Sequence, residues 1–282
     1  MNQFFRHSIL AFTLLAIAFS GCKTAEVLST KEVLLRFKPA KGDQYGMSMQ
    51  MNLLMDGAQS MTMSMKMDND LSIGEVGKDG AFYLENTVKK AGMNIKNSMM
   101  SIDYDSDNPD LSDPSIEEMH KTMGRMLNKS MVSKLNTRGE VLEYPDYHKI
   151  FGDDPEMTSQ IQQMNQSLEN TFIHYPENVL KVGDSWNADI NIEGQAPMTQ
   201  HLTYTVKEIT ATTVLLDVKG TIKFSPEAMM SGSGDFNGNI TINRADGFLK
   251  TSVIKQNLNM SVQGMNMKTS TDINLSLTKR GK

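Results

Sequence analysis

The 282-residue sequence holds a single cysteine, Cys22, and a single tryptophan, Trp186. One thiol cannot form an intramolecular disulfide, so the fold has to be held by its core. Basic residues form no long run and do not interleave with aromatics, and 28 Lys and Arg against 33 Asp and Glu leave the chain at −5. That balance argues against a nucleic-acid partner. There is no Gly-X-Ser-X-Gly and no phosphate loop, and His120, His148, His174 and His201 are scattered without metal-ligand spacing. The chain is therefore expected not to be an enzyme, and no motif requires a cofactor. The one long apolar run, Ile9 to Phe19, is too short to span a bilayer comfortably.

That run has a meaning of its own. Arg6 and His7 precede it and Ser20-Gly21-Cys22 follows it, which is the layout of a secretory signal. The segment resembles the bacterial lipoprotein signal, in which cleavage falls before the cysteine and lipid is attached to it; Phe19 stands where that signal usually has leucine. The resemblance implies a signal peptide over 1–21, a lipidated tether over 22–32, and attachment to a membrane through acyl chains on Cys22 without a spanning helix. Lys23, directly after the anchor, points to the outer membrane by the same resemblance. About 260 residues remain after cleavage, enough for one large or two small domains.

Methionine is what the sequence has in excess, 24 against 11 phenylalanines. Met47, Met49, Met51, Leu53 and Met55 occupy alternate positions, and after a short break Met61, Met63, Met65 and Met67 do the same. A period of two belongs to a half-buried strand, so the segment reads as a hairpin with one thioether face. A two-residue Asp-Gly turn would set Met51 opposite Thr62 and mix the faces. An odd loop restores the match: three residues pair Met51 with Met63, and five pair Met51 with Met65. Near the C-terminus, a two-residue turn at Gln263-Gly264 pairs Val262 with Met265, Met260 with Met267 and Ile254 with Ile273, all on one face.

Distant segments share a layout. Gly42-Asp43-Gln44-Tyr45 precedes the first methionine strand, and Gly183-Asp184-Ser185-Trp186, 141 positions later, precedes Ala188, Ile190 and Ile192. Each half then offers two more alternating strands, over 61–73 and 81–88 and over 202–209 and 213–224, and a turn at 136–139 or 243–247. These features point to an internal duplication. The expected organisation is a first β repeat over 33–145, a helical connector over 146–178 and a second β repeat over 179–282. Val33, Leu35 and Phe37 suggest a leading strand, and 92–104 further strand. Asp113-Pro114 opens a helix near 114–128 with Ile116, Met119, Met123, Met126 and Leu127 on one side. A second helix from Asp154-Pro155 carries Met157, Ile161, Met164, Leu168 and Phe172. Ser231-Gly232-Ser233-Gly234 is expected to be a flexible loop. The fold class is mainly β, an α+β protein of two related antiparallel curved sheets or half-barrels joined and covered by about two helices.

Two readings of the methionines compete. Thioethers on alternate strand positions are soft ligands suited to Cu(I); alternatively, they line an adaptable apolar surface. Alternation over whole strands favours the apolar surface, and no metal is assigned. The candidate ligand face is Met47, Met49, Met51, Leu53, Met61, Met63, Met65 and Met67, with Met260 and Met267. Asp103 to Asn108 begins like a calcium loop but has Asn108 and Pro114 where glycine and glutamate belong.

The lipoprotein signal, the Gly-Asp-X-aromatic strand starts at Gly42 and Gly183, and Tyr104-Asp105-Ser106 resemble uncharacterised cell-envelope lipoproteins of Bacteroidota. That resemblance implies a lipid-anchored envelope protein and carries no activity with it. By architecture alone the chain also looks like periplasmic lipoprotein carriers built on half-barrels. The expected function is to bind or accommodate an apolar ligand, a lipid or lipid-linked molecule, on the methionine-rich face. The alternatives are Cu(I) binding and an assembly module that pairs with another envelope protein.

Overall fold

The computed structural model describes residues 32–57, 60–152, 161, 164, 165, 168–192, 197–225, 230–262 and 265–281. The signal segment, Cys22, the tether up to residue 31, Met157 and the Gln263-Gly264 turn lie outside them.

The strands in chain order are β1 (Glu32–Val33), β2 (Gln44–Asp56), β3 (Met61–Val76), β4 (Phe82–Asn97), β5 (Ser101–Asp105), β6 (Ser130–Leu135) and β7 (Val141–Glu143), followed by β8 (Leu180–Lys181), β9 (Ser185–Ile192), β10 (Met198–Ile209), β11 (Thr213–Phe224), β12 (Met230–Asn243), β13 (Leu249–Val262) and β14 (Met265–Gly281). Helix α1 covers Pro114–Gly124 and the single turn α2 covers His148–Phe151. The protein is mainly β and antiparallel. β1 pairs with β8, and the other twelve strands form one sheet in the order β7-β6-β4-β3-β2-β14-β13-β12-β11-β10-β9, with β5 also on β4. The sheet does not close on itself. Strands from the two halves meet where β2 pairs with β14, so the halves share a single sheet.

The sheet is strongly curved. Phe82 on β4 and Phe248, just ahead of β13, belong to strands four places apart, which a flat sheet would hold about 19 Å from one another. Their ring centroids are 6.0 Å apart. Phe37 sits between them, 6.1 Å from Phe82 and 5.1 Å from both Phe248 and Tyr175. One buried cluster therefore takes Leu71, Ile73 and Leu84 from the first half with Val206, Leu216 and Ile242 from the second. It fills one end of the sheet, called here the base. Leu35 and Phe37 are buried there but are not strand: Phe37 N–H donates to Thr137 O at 2.8 Å and Lys38 N–H to Asp246 O at 2.8 Å, so this segment straps the base between two turns.

The strand starts of the two halves use the same hydrogen bonds. Gly42 N–H donates to Ile73 O and Ile73 N–H to Asp43 O, both at 2.9 Å; Gly183 N–H donates to Val206 O at 2.8 Å and Val206 N–H to Asp184 O at 2.9 Å. Each aspartate side chain accepts from the backbone three residues before it, Ala40 at 3.0 Å and Lys181 at 2.8 Å. Both glycines have left-handed φ, +86° and +95°, a conformation that other residues adopt only at a cost.

Helix α1 begins where the sequence suggests. Asp113 caps it by accepting from Ser115 N–H at 2.8 Å, and Pro114 opens it. Ile116 is buried with Ala91 and Tyr104, and Met119, Met123 and Leu127 pack around them. Of the second expected helix, the described residues 161, 164, 165 and 168–171 are helical, and Ile161, Met164 and Leu168 are half-buried.

The Ser231–Gly234 stretch corrects its expectation, being strand within β12. Its glycines serve packing: a Cβ at Gly234 would lie 2.4 Å from Leu258 Cδ2 and 2.3 Å from Asn257 O. A bulkier side chain would push β13 away.

Candidate functional site

Beyond the packed base, the inner face of the sheet continues as a long apolar surface. On β2, Met47, Met49, Met51, Leu53 and Met55 are half-buried, while Ser48, Gln50, Asn52 and Leu54 between them are exposed. The five-residue connection is the one realised: Met49 faces Met67, Met51 faces Met65, Leu53 faces Met63 and Met55 faces Met61. The row continues on β4 with Ala91, Met93 and Ile95.

On the other side of β2 lies β14, with Leu277, Leu275 and Ile273 opposite Met47, Met49 and Met51. Met260 faces Met267, and Ile254 faces Ile273. Met267 lies one step beyond Thr269, the partner of Met55, so both methionine clusters belong to one surface. From Ile273 the row runs through Ile254, Gly238, Val218 and Tyr204 to Trp186 on the edge strand β9. Trp186 stacks on Tyr204 with centroids 5.1 Å apart. Sulfur-rich contacts line the first half of this face, and branched and aromatic ones the second.

Polar groups interrupt it at a few points. Thr269 and Thr271 are buried opposite Met55 and Leu53. Asn69 is buried opposite Met47, and its Nδ2 donates to Asn86 Oδ1 at 2.8 Å, leaving its own Oδ1 without a protein partner. These residues occupy the same alternate positions as the apolar series on β3 and β14. That parity, visible in the sequence, was the signal that would have placed them on the face.

At the base the face ends on a small apolar cavity of about 80 Å³, between Met47, Leu71, Leu275 and Leu277 on the sheet and Phe172, Ile173 and Tyr175 above it. A polar cluster closes this end. Tyr45 Oη donates to Asp246 Oδ2 at 3.0 Å, and Tyr175 Oη donates to Gly247 O at 2.7 Å. Burial pushes both phenols well above their ordinary pKa, and the charge of Asp246 pushes Tyr45 and Tyr175 further. Both remain protonated at neutral pH. None of these residues could be assigned from sequence beyond the turn at 243–247.

Larger hollows are open to solvent. One of about 440 Å³ lies along β3, β4 and β5 beside Asp68, Asp103, Asp105 and Asp107, where Lys90 pairs with Asp107. Among the described residues no three His, Cys, Asp or Glu side chains gather in a way that would hold a metal ion. His120 Nδ1 instead lies 3.2 Å from Tyr104 Oη, tying α1 to β5.

The family of unknown function DUF6263 matches residues 79–249, more than half of the sequence. The chain belongs to the DUF6263 family. This DUF6263 chain has no match among curated proteins. In fold, it is similar to the structure describing lipid-protein interactions in lipovitellin, at 8% identity and a TM-score of 0.50. That match covers 86% of this chain and 26% of the other, so the chain spans about a quarter of lipovitellin's length. Pseudomonas aeruginosa OccK5 (OpdH) aligns over 86% of this DUF6263 chain and 99% of its own at 5% identity, with a TM-score of 0.25, too low to indicate a shared fold.

Proposed function

We propose that this chain is a lipid-anchored protein of the cell envelope that accommodates an apolar ligand, a lipid or a lipid-linked molecule, on the inner face of its sheet. The observation that carries the reading is the excess of apolar face over packed core. The packed core fills the base and reaches Ile222 in the second half, and α1 covers Ala91 and Met93; from Met49 to Met55 and Met61 to Met67 the inward side chains stay half-buried. An extended apolar surface of this kind is costly to leave against water and marks a place where something else binds. Methionine suits a ligand of variable shape because its unbranched side chain adapts at little cost. The fold shared with lipovitellin, whose structure concerns lipid-protein interactions, is in keeping with this reading.

Anchoring rests on the segment ending at Cys22, and envelope placement rests on the same segment. The outer membrane is proposed from Lys23. The test is native mass spectrometry of the chain from Lys23 onward, with organic extraction and with added Cu(I). Co-purified or readily acquired lipid is the expected result. Stoichiometric Cu(I) without lipid would replace this reading with a copper site, and failure to take up either would leave an assembly module.

A further inference from the structure

The two ends of the sheet differ in chemistry. At the base, the connections are Gly77-Lys78-Asp79-Gly80 between β3 and β4, Thr210-Ala211-Thr212 between β10 and β11, and Arg244 to Phe248 between β12 and β13; none contains methionine. At the opposite end, the mouth, every hairpin connection contains or adjoins one. Met55 and Met61 flank the β2–β3 connection, Met99 and Met100 lie between β4 and β5, Met198 follows the β9–β10 connection, Met230 opens β12, and Met265 follows the β13–β14 connection. Three of these are freely exposed: Met99 at 73%, Met265 at 52% and Met100 at 42%.

We propose that the mouth seats on a lipid surface, with Met99, Met100 and Met265 entering its interfacial layer. A bilayer accepts separate, flexible apolar tips, because fluid lipid moulds itself around each one. A protein partner would instead call for a central anchor of Trp, Tyr or Arg, and the mouth connections and the residues beside them contain none. The apolar face opens at the same end, so the inference deepens the ligand reading by giving a lipid a route from bilayer to face.

The test uses the chain from Lys23 onward, which keeps every described element, mixed with phosphatidylcholine vesicles and separated by flotation. The protein is expected to float with the vesicles. Replacing Met99, Met100 and Met265 together by serine should lower the partition coefficient by about tenfold or more. Val179→Ser with Val182→Ser, exposed near the base, should leave it within about twofold. Circular dichroism and thermal melting confirm that each variant is folded. The proposal is overturned if the unaltered chain stays in solution, if the methionine variant floats equally well, or if binding needs membranes that retain their proteins. Uptake of a fluorescent fatty acid without vesicles reports the face separately. Flotation without uptake would sink the ligand reading alone, and uptake without flotation would sink only the mouth contact.

Discussion

Met51 on β2 stands directly opposite Met65 on β3 and, on its other side, opposite Ile273 on β14. Its neighbour Gln50 points the other way and is exposed. Met51→Leu with Met65→Leu keeps the face apolar, so the fold and lipid uptake should both survive, whereas a copper site would lose its ligands. Met51→Asp places a charge against apolar neighbours and should lower stability by about 2 kcal/mol or more, while Gln50→Asp should stay within about 0.5 kcal/mol. Urea unfolding measures all three. Equal costs for Met51→Asp and Gln50→Asp would refute the assignment of faces.

Trp186 is the only tryptophan and lines the far wall of the same face. An apolar ligand spanning the face should shift its emission to shorter wavelength, and Met51→Asp, six strands away along the sheet, should weaken that response. A ligand-induced shift of equal size at equal concentration in both proteins would show that the two walls do not share a ligand.

The phenols at the base predict loss of stability in alkali. Burial raises the pKa of Tyr45 and Tyr175 in the folded state, and Tyr204 is pushed up to about 12 by the same cause. Below the ordinary tyrosine pKa of about 10, both folded and unfolded chains hold these protons, and stability is unaffected. As pH rises beyond it, the unfolded chain releases protons that the folded chain retains, so stability falls. Urea midpoints should hold from pH 8 to 9 and decline steadily from about pH 10, with a shallower decline in Tyr45→Phe. An unchanged slope in that variant would count against the role of Tyr45.

Gly247 and Gly42 separate two kinds of glycine cost. Both have positive φ, but a Cβ on Gly247 would meet Arg36 O at 2.0 Å, whereas one on Gly42 meets nothing within 4 Å. Gly42→Ala should cost about 1 kcal/mol from the backbone alone. Gly247→Ala should cost at least about twice that, because it also forces the Leu35–Lys38 strap off the base. Thermal melting compares them, and equal losses would mean that the strap yields freely.

The strands and their faces were legible in the sequence because a period of two leaves little choice once one side is buried. The rejection of the Asp-Gly turn followed from that alone, and the pairing of Met260 with Met267 did too. The choice between a three-residue and a five-residue connection was not legible, since both keep every methionine on one face. The single sheet was hidden for a different reason: the β2–β14 pairing joins residues near opposite ends of the chain, and alternation within a strand says nothing about its neighbours. Ser231 to Gly234 misled because glycine signals a turn when read locally, while here it makes room for Leu258 on the next strand. On the candidate face the apolar members are readable, but Asn69, Thr269 and Thr271, being polar, add nothing to the hydrophobic alternation that marks the face.

The place of Glu32 gives the molecule a direction. Its strand pairs with Lys181, just ahead of β9, and β9 runs from there towards the mouth. The distance from Glu32 to the mouth is therefore about 30 Å or more. Nine residues lie between Cys22 and Glu32, and the ten steps from one to the other reach at most about 35 Å when fully drawn out. If Cys22 carries the lipid, standing mouth-down on its own membrane would use nearly all of that length. A chain anchored at Cys22 would then stand like a cup fastened by its foot, its rim turned aside or towards whatever membrane lies across the gap.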